Sequence, residues 1–131
     1  MRFGSALVPL LVVALAAPAT AGVARGAKKP RLDLRASPRI ALPPVDVLVV
    51  AELVGGDEIE DFYCPAIEWE WGDGNRSAHE ADCPPFRAGM TMARLHSASH
   101  AYRRPGAYSI RVTLRRVGRA LAAATTQVDI R

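Results

Sequence analysis

The sequence is poor in the patterns that carry chemistry. Only two cysteines, Cys64 and Cys83, occur in 131 residues. A zinc site needs more ligands at tighter spacing, and thiol redox catalysis places its cysteines two residues apart. No serine sits in a nucleophile elbow, and no glycine-rich loop is arranged to cradle phosphate. No amphipathic helical periodicity and no internal repeat stands out. Beyond the first 21 residues there is no long apolar run, so no membrane span is predicted for a mature chain. The length is short for a barrel enzyme or a doubly wound nucleotide-binding fold, and it suits one domain.

What is present begins with an export signal. Met1-Arg2 precede an apolar run from Ala6 to Ala17, and Ala19-Thr20-Ala21 puts small residues at −3 and −1 of a cleavage site. The run falls short of the roughly 20 apolar residues that a membrane anchor requires. The expected organisation is a signal peptide over 1–21, a flexible basic leader over 22–30 and one domain over 31–131. Secretion or periplasmic residence follows from cleavage near Ala21. In an oxidising compartment an even cysteine count predicts a disulfide. Cys64 lies nine residues before Asp73 and Cys83 ten after it. A hairpin turning at Gly72-Asp73-Gly74 would bring them together near its base, and closing that loop is expected to contribute about 3 kcal/mol.

Strand signals recur through the domain. Leu32 and Leu34 alternate with charged residues. Val45, Val47, Val49, Ala51 and Leu53 share one strand face, and Ile67, Trp69 and Trp71 share another, with Glu68 and Glu70 opposite. Tyr108, Ile110, Val112 and Leu114 form the clearest alternation, which puts Glu68 and Glu70 in position to pair with Arg111 or Arg115. A turn at Val117-Gly118-Arg119-Ala120 leads to a last strand with Thr126, Val128 and Ile130 on one face. Between them, Met90-Thr91-Met92 reads as the start of a strand, or Ala88 to Ala98 as a helical turn. Short strands between proline and glycine turns predict an all-β, two-sheet sandwich. Charge falls in blocks of net +5 over 22–45, −10 over 46–86 and +8 over 87–131. Internal neutralisation between neighbouring strands is the simplest expectation, and the acidic middle argues against nucleic acid as a partner.

Two segments carry a resemblance. Ile67-Glu68-Trp69-Glu70-Trp71-Gly72-Asp73-Gly74 resembles the tryptophan strand and glycine–aspartate–glycine turn of polycystic-kidney-disease (PKD) domains. Ser99-His100-Ala101-Tyr102 with Pro105-Gly106-Ala107-Tyr108 and the alternation after it resembles their second signature. Together they cover about residues 31–131, and the resemblance implies an immunoglobulin-like sandwich of about seven strands, used outside the cell for adhesion or spacing. Trp71 stands where the family usually has phenylalanine. Residues 75–99, with Cys83-Pro84-Pro85-Phe86, form a longer connection than the family's.

Physically, Trp69 is expected to fill the core, the glycines beside Asp73 to permit a tight turn, and Pro105-Gly106 to feed the strand that carries Tyr108. The cluster Asp57, Glu58, Glu60 and Asp61 offers oxygen ligands for calcium, which some relatives of the fold bind, yet it lacks the spaced pattern of an EF-hand, and a solvated acidic loop is the simpler reading. His96 and His100, four apart, make a poor zinc pair without further ligands. Asn75-Arg76-Ser77 matches a glycosylation acceptor, but the Ala, Arg, Val and Pro bias points to a GC-rich bacterial gene. The expectation is a non-catalytic secreted monomer without cofactor, binding an extracellular protein or carbohydrate. The alternatives are an accessory subunit of a cell-envelope assembly and, below it, a small hydrolase with its site in 75–99.

Overall fold

Among the described residues there are eight strands, most of them built on alternating apolar and polar side chains: β1 (Arg31–Ser37), β2 (Ile40–Ala41), β3 (Val45–Val54), β4 (Ala66–Glu70), β5 (Arg76–His79), β6 (Leu95–Tyr102), β7 (Gly106–Arg116) and β8 (Arg119–Ile130). The computed structural model describes Gly4, Pro9, residues 11–16 and residues 27–131. The export signal, its cleavage at Ala21 and most of the leader lie largely outside these residues. Among the described residues no helix is long and apolar enough to cross a membrane. One sheet has the order β1-β3-β6 and the other β2-β8-β7-β4-β5. All pairings are antiparallel except β2 with β8. Against about seven expected strands, β2 is too short for alternation to reveal, and β5 and the first half of β6 lie within residues 75–99, which the sequence reads as a connection.

Period-two patterning decides which face is inward. Val47, Val49, Ala51 and Leu53 of β3 meet Ile67 and Trp69 of β4, Ile110, Val112 and Leu114 of β7, and Val128 and Ile130 of β8 in one core. Trp71, just past β4, is its largest fully buried side chain. β7 and β8 are joined through Val117-Gly118, both at positive φ (49° and 71°), the backbone that a two-residue hairpin loop demands.

The connection before β6 is neither of the forms expected. Met90 N–H returns to the Arg87 carbonyl at 3.1 Å, Met92 drops into the core, and β6 starts only at Leu95. Met92 is the buried apolar side chain of this connection, and the Arg87–Met90 turn comes just before it. The leader also differs at its end. Lys28 N–H donates to Asp57 Oδ2 at 2.7 Å, Asp57 N–H returns to the Lys28 carbonyl at 2.8 Å, and Pro30 is buried.

The charge blocks neutralise one another. Glu52 pairs with Arg35, Glu58 with Arg94, Glu60 with Arg116, Asp61 with Arg119, and Glu68 with Arg115. Each pair joins the acidic middle to a basic flank. Glu70 takes Arg76 from its own hairpin rather than Arg111.

Candidate functional site

The two signature segments meet at one end of the sandwich. After β4 the chain turns through Gly72-Asp73-Gly74, with Trp71 N–H bonding to the Asn75 carbonyl at 3.1 Å. Gly72 has φ +79°, and a Cβ there would lie 2.5 Å from the Ser109 carbonyl oxygen of β7. Only glycine fits that approach. Asp73 Oδ1 accepts the Asn75 N–H at 3.0 Å. Its Oδ2 lies 2.6 Å from His100 Nε2, on β6 of the opposite sheet. Two residues along β6, Tyr102 donates its hydroxyl to the Trp71 carbonyl at 2.7 Å. The turn of one sheet is thus tied twice to a strand of the other.

Aromatic rings fill the space beneath. Trp69 stacks on Trp71 at 5.7 Å and 10°, and Trp71 stacks on His100 at 4.7 Å and 10°. His100 meets Tyr102 edge-on at 4.9 Å, and Tyr102 lies 4.5 Å from Tyr108. The Trp71 indole N–H donates to Ser77 Oγ at 2.9 Å. Tyr108 OH donates to the Arg104 carbonyl at 2.8 Å, closing the Pro105-Gly106 turn. A Cβ at Gly106 would sit 3.1 Å from the Tyr108 ring, so the turn keeps glycine beneath the phenol. Burial pushes the Tyr102 hydroxyl well up, and the Asp73 charge and Tyr108 add to it, so it remains a donor. Burial also pulls the Asp73 carboxyl up, but the bonds from His100 and Asn75 outweigh it and hold the group below its ordinary 3.8.

His100 beside Asp73 has the outline of a catalytic dyad. The His100 ring lies flat on Trp71 with Tyr102 at its edge, and the Tyr102 hydroxyl is committed to Trp71. Among the described residues no serine, threonine or cysteine bonds to His100. Outside this strut an open groove of about 320 Å³ is lined by Asp73, Asn75, Ala101, Arg103, Arg104 and the two tyrosines. The arginines of that rim, Arg103 and Arg104, fill the two positions between Tyr102 and the Pro105-Gly106 turn, and only that place between the two motifs signals them.

The other candidates are dispersed. Asp57 serves Lys28, Glu58 serves the Met92 N–H and Arg94, Glu60 faces Arg116, and Asp61 faces Arg119. Four carboxylates turned to four different cations or N–H groups do not converge on one ion, and among the described residues no group of three metal-ligating side chains forms. His96 and His100 share the inward face of β6, but four strand residues separate them by roughly 13 Å. His96 Nε2 is buried without a hydrogen-bond partner. Cys64 and Cys83 are joined, with Cα atoms 6.2 Å apart, and the 75–99 connection is held further by Tyr63 OH on the Pro84 carbonyl at 2.7 Å and by Tyr63 against Phe86. In that connection Ser77 supports Trp71, while Glu80 and Asp82 are exposed.

No family model and no curated protein matches the chain. Among solved structures, the PKD domain of an M14-like peptidase from a Thermoplasmatales archaeon superposes with a TM-score of 0.55 at 13% identity, covering 79% of this chain and 97% of that one. The fold is PKD-like. At that identity the likeness concerns the fold, and the arrangement of His100 against Asp73 is read from this chain alone.

Proposed function

We propose that the chain is a non-catalytic PKD-like module, exported by cleavage near Ala21, that binds protein or carbohydrate outside the cytoplasm. The domain would run from 31 to 131, behind the leader. One observation carries the reading: Asp73 with His100, which has the outline of catalytic machinery, is consumed as a strut between the two sheets. The disulfide supports an oxidising compartment. The signature residues Trp69, Trp71, Gly72, Asp73, Gly74, His100, Tyr102, Pro105, Gly106 and Tyr108 would then serve to present loops and edges, where sandwich domains place their contacts.

The accessory-subunit alternative is favoured by one feature, the unpaired edge at β6. Both readings share an absence of turnover. The test is the exported protein, with its N-terminus sequenced, applied to insoluble polysaccharides and to immobilised extracellular proteins, beside chromogenic ester, peptide and glycoside assays. Saturable retention without turnover is expected, starting from Gly22. Turnover that survives repurification, abolished by a substitution within 75–99, would instead establish the hydrolase.

A further inference from the structure

Sheet order leaves β6 at a rim, with β3 its only neighbour among the described residues. The phase of that pairing fixes which backbone groups are used. Leu53 N–H donates to the Arg94 carbonyl at 2.8 Å, and the register continues in steps of two through Ala51 with His96, Val49 with Ala98 and Val47 with His100. Bonded and non-bonded pairs alternate along an antiparallel ladder. His96, Ala98 and His100 therefore bond to β3, whereas Leu95, Ser97, Ser99 and Ala101 turn their N–H and C=O groups to the rim. These four residues are exposed, and among the described residues no turn or loop hydrogen bond reaches their backbone.

Rims of sheets are ordinarily guarded by charge, proline or a bulge. β1, the other rim of the same sheet, is guarded by Arg31, Asp33 and Arg35 and is followed by Pro38. β6 carries no proline, no Lys, Arg, Asp or Glu, and no register break over eight residues. Arginines bracket it instead. Arg94 is neutralised by Glu58 at 3.1 Å. Arg103 and Arg104 make no ion pair among the described residues, and both line the 320 Å³ groove at the end of the strand.

We propose that the β6 rim takes up an extended segment of another protein as an added antiparallel strand, whose acidic N-terminal end lies against Arg103 and Arg104. Unpaired main-chain groups supply the affinity of such strand addition, and the charge at one end sets its direction. A second copy of this chain fits less well. Antiparallel self-pairing would carry Arg94 toward Arg103 and Arg104 and add a like charge where an acid is needed. The inference rests on the binding-module reading and specifies which edge is used and what partner chemistry it selects.

The probe is the blocked peptide acetyl-Asp-Asp-Thr-Val-Thr-Val-Thr-amide, titrated into the full exported chain and followed by amide chemical shifts and calorimetry. The largest shifts are expected at Leu95, Ser97, Ser99 and Ala101. Ser99→Pro removes a rim N–H without removing a bond to β3, and it is expected to weaken binding at least tenfold. The double substitution Arg103→Ala/Arg104→Ala leaves the ladder untouched, so it carries the test if the proline variant does not melt cooperatively. It is expected to weaken binding severalfold and to flatten its salt dependence. Unchanged binding in the arginine variant, or equal binding of the sequence-reversed probe, would overturn the assigned polarity. A concentration-dependent dimer abolished by Ser99→Pro would give the rim to a second copy and overturn the proposal. No binding of the probe, with retention on polysaccharide intact, would refute the rim while sparing the binding-module reading.

Discussion

Two ends of the molecule solve the same problem by different chemistry. At the signature end, the Gly72-Asp73-Gly74 turn is held to β6 by Asp73 and His100, whose side chains are 19% and 18% exposed, and by the buried Tyr102 hydroxyl. At the other end, the acidic loop is held by Glu58 with Arg94 and Asp61 with Arg119, where the side chains are 34–68% exposed. Partners removed from water lose much when one is deleted, whereas exposed ion pairs contribute little because solvent competes for both. The acidic end compensates covalently. Cys64 follows the Glu60–Phe62 turn, and its bridge to Cys83 fastens the long connection beside that loop. Stability should therefore be concentrated in aromatic packing at one end and in a cross-link at the other.

The sharpest way to break this contrast is Trp71→Ala. Trp71 is 1% exposed and stacks on both Trp69 and His100, so its loss removes packing and the platform under the strut. The expected cost is about 3–5 kcal/mol, a large part of a small domain's stability. Equilibrium unfolding in urea reads it, and a cost below about 1 kcal/mol would mean that the signature end is not where packing resides.

Reducing the disulfide probes the opposite end and should come second. Closing a loop across the sequence separation of 19 is worth about 3 kcal/mol by chain entropy. The melting temperature should fall by roughly 10–15 °C on reduction. The fold should persist, because Trp69, Trp71 and the inward faces of β3, β7 and β8 still supply a core. Near-ultraviolet circular dichroism of the reduced, alkylated protein should keep the tryptophan signal, and loss of that signal would show that the cross-link supports the aromatic end as well.

How much of this was legible depends on whether the cause is local. The strands of Val45–Val54 and Gly106–Arg116 follow from alternation, because one face of each meets the core and the other does not. The same alternation puts Glu68 and Glu70 within reach of Arg111 or Arg115, and of these only the pair of Glu68 with Arg115 forms among the described residues. Both signature segments were readable as motifs. Their joining through Asp73 and His100 was not, because the contact spans 27 residues and depends on how two sheets stack. Nor did the acidic cluster disclose its partners, which come from the end of the leader, β7, β8 and the approach to β6. The path of 80–94 was hidden for a similar reason: one buried methionine, Met92, and one disulfide decide it, and neither leaves a period.

Acid titration should separate smaller contributions. Burial, reinforced by the charge of His79, holds the His96 imidazole below its ordinary 6.5. The folded chain then binds fewer protons there than the unfolded chain, so that stability is complete above pH 6.5 and is lost as pH falls through the folded value. Asp73, held below 3.8, contributes stability that is present above that pH and lost as pH falls through its own folded value. Two acid losses are expected in the pH dependence of the urea midpoint. His96→Leu should remove the upper one and Asp73→Asn the lower one. A single loss that ignores both substitutions would place the acid sensitivity elsewhere.

The smallest effect is expected from Arg119→Ala. Its guanidinium reaches Asp61 at 3.2 Å, but the two side chains are 68% and 47% exposed, and the pair lies at the start of β8 beyond the core. Both groups keep most of their hydration when paired, and holding two mobile side chains together costs rotamer freedom that offsets the Coulomb attraction. A pair of that kind is worth about 0–1 kcal/mol and less as salt rises, since ions screen exposed charges over about 10 Å at 0.1 M. The substitution should shift the urea midpoint barely beyond error at low salt and not at all near 1 M. A loss above about 2 kcal/mol, persisting at high salt, would mean that Asp61 and Arg119 act as a buried anchor, and the distinction between the two ends would collapse.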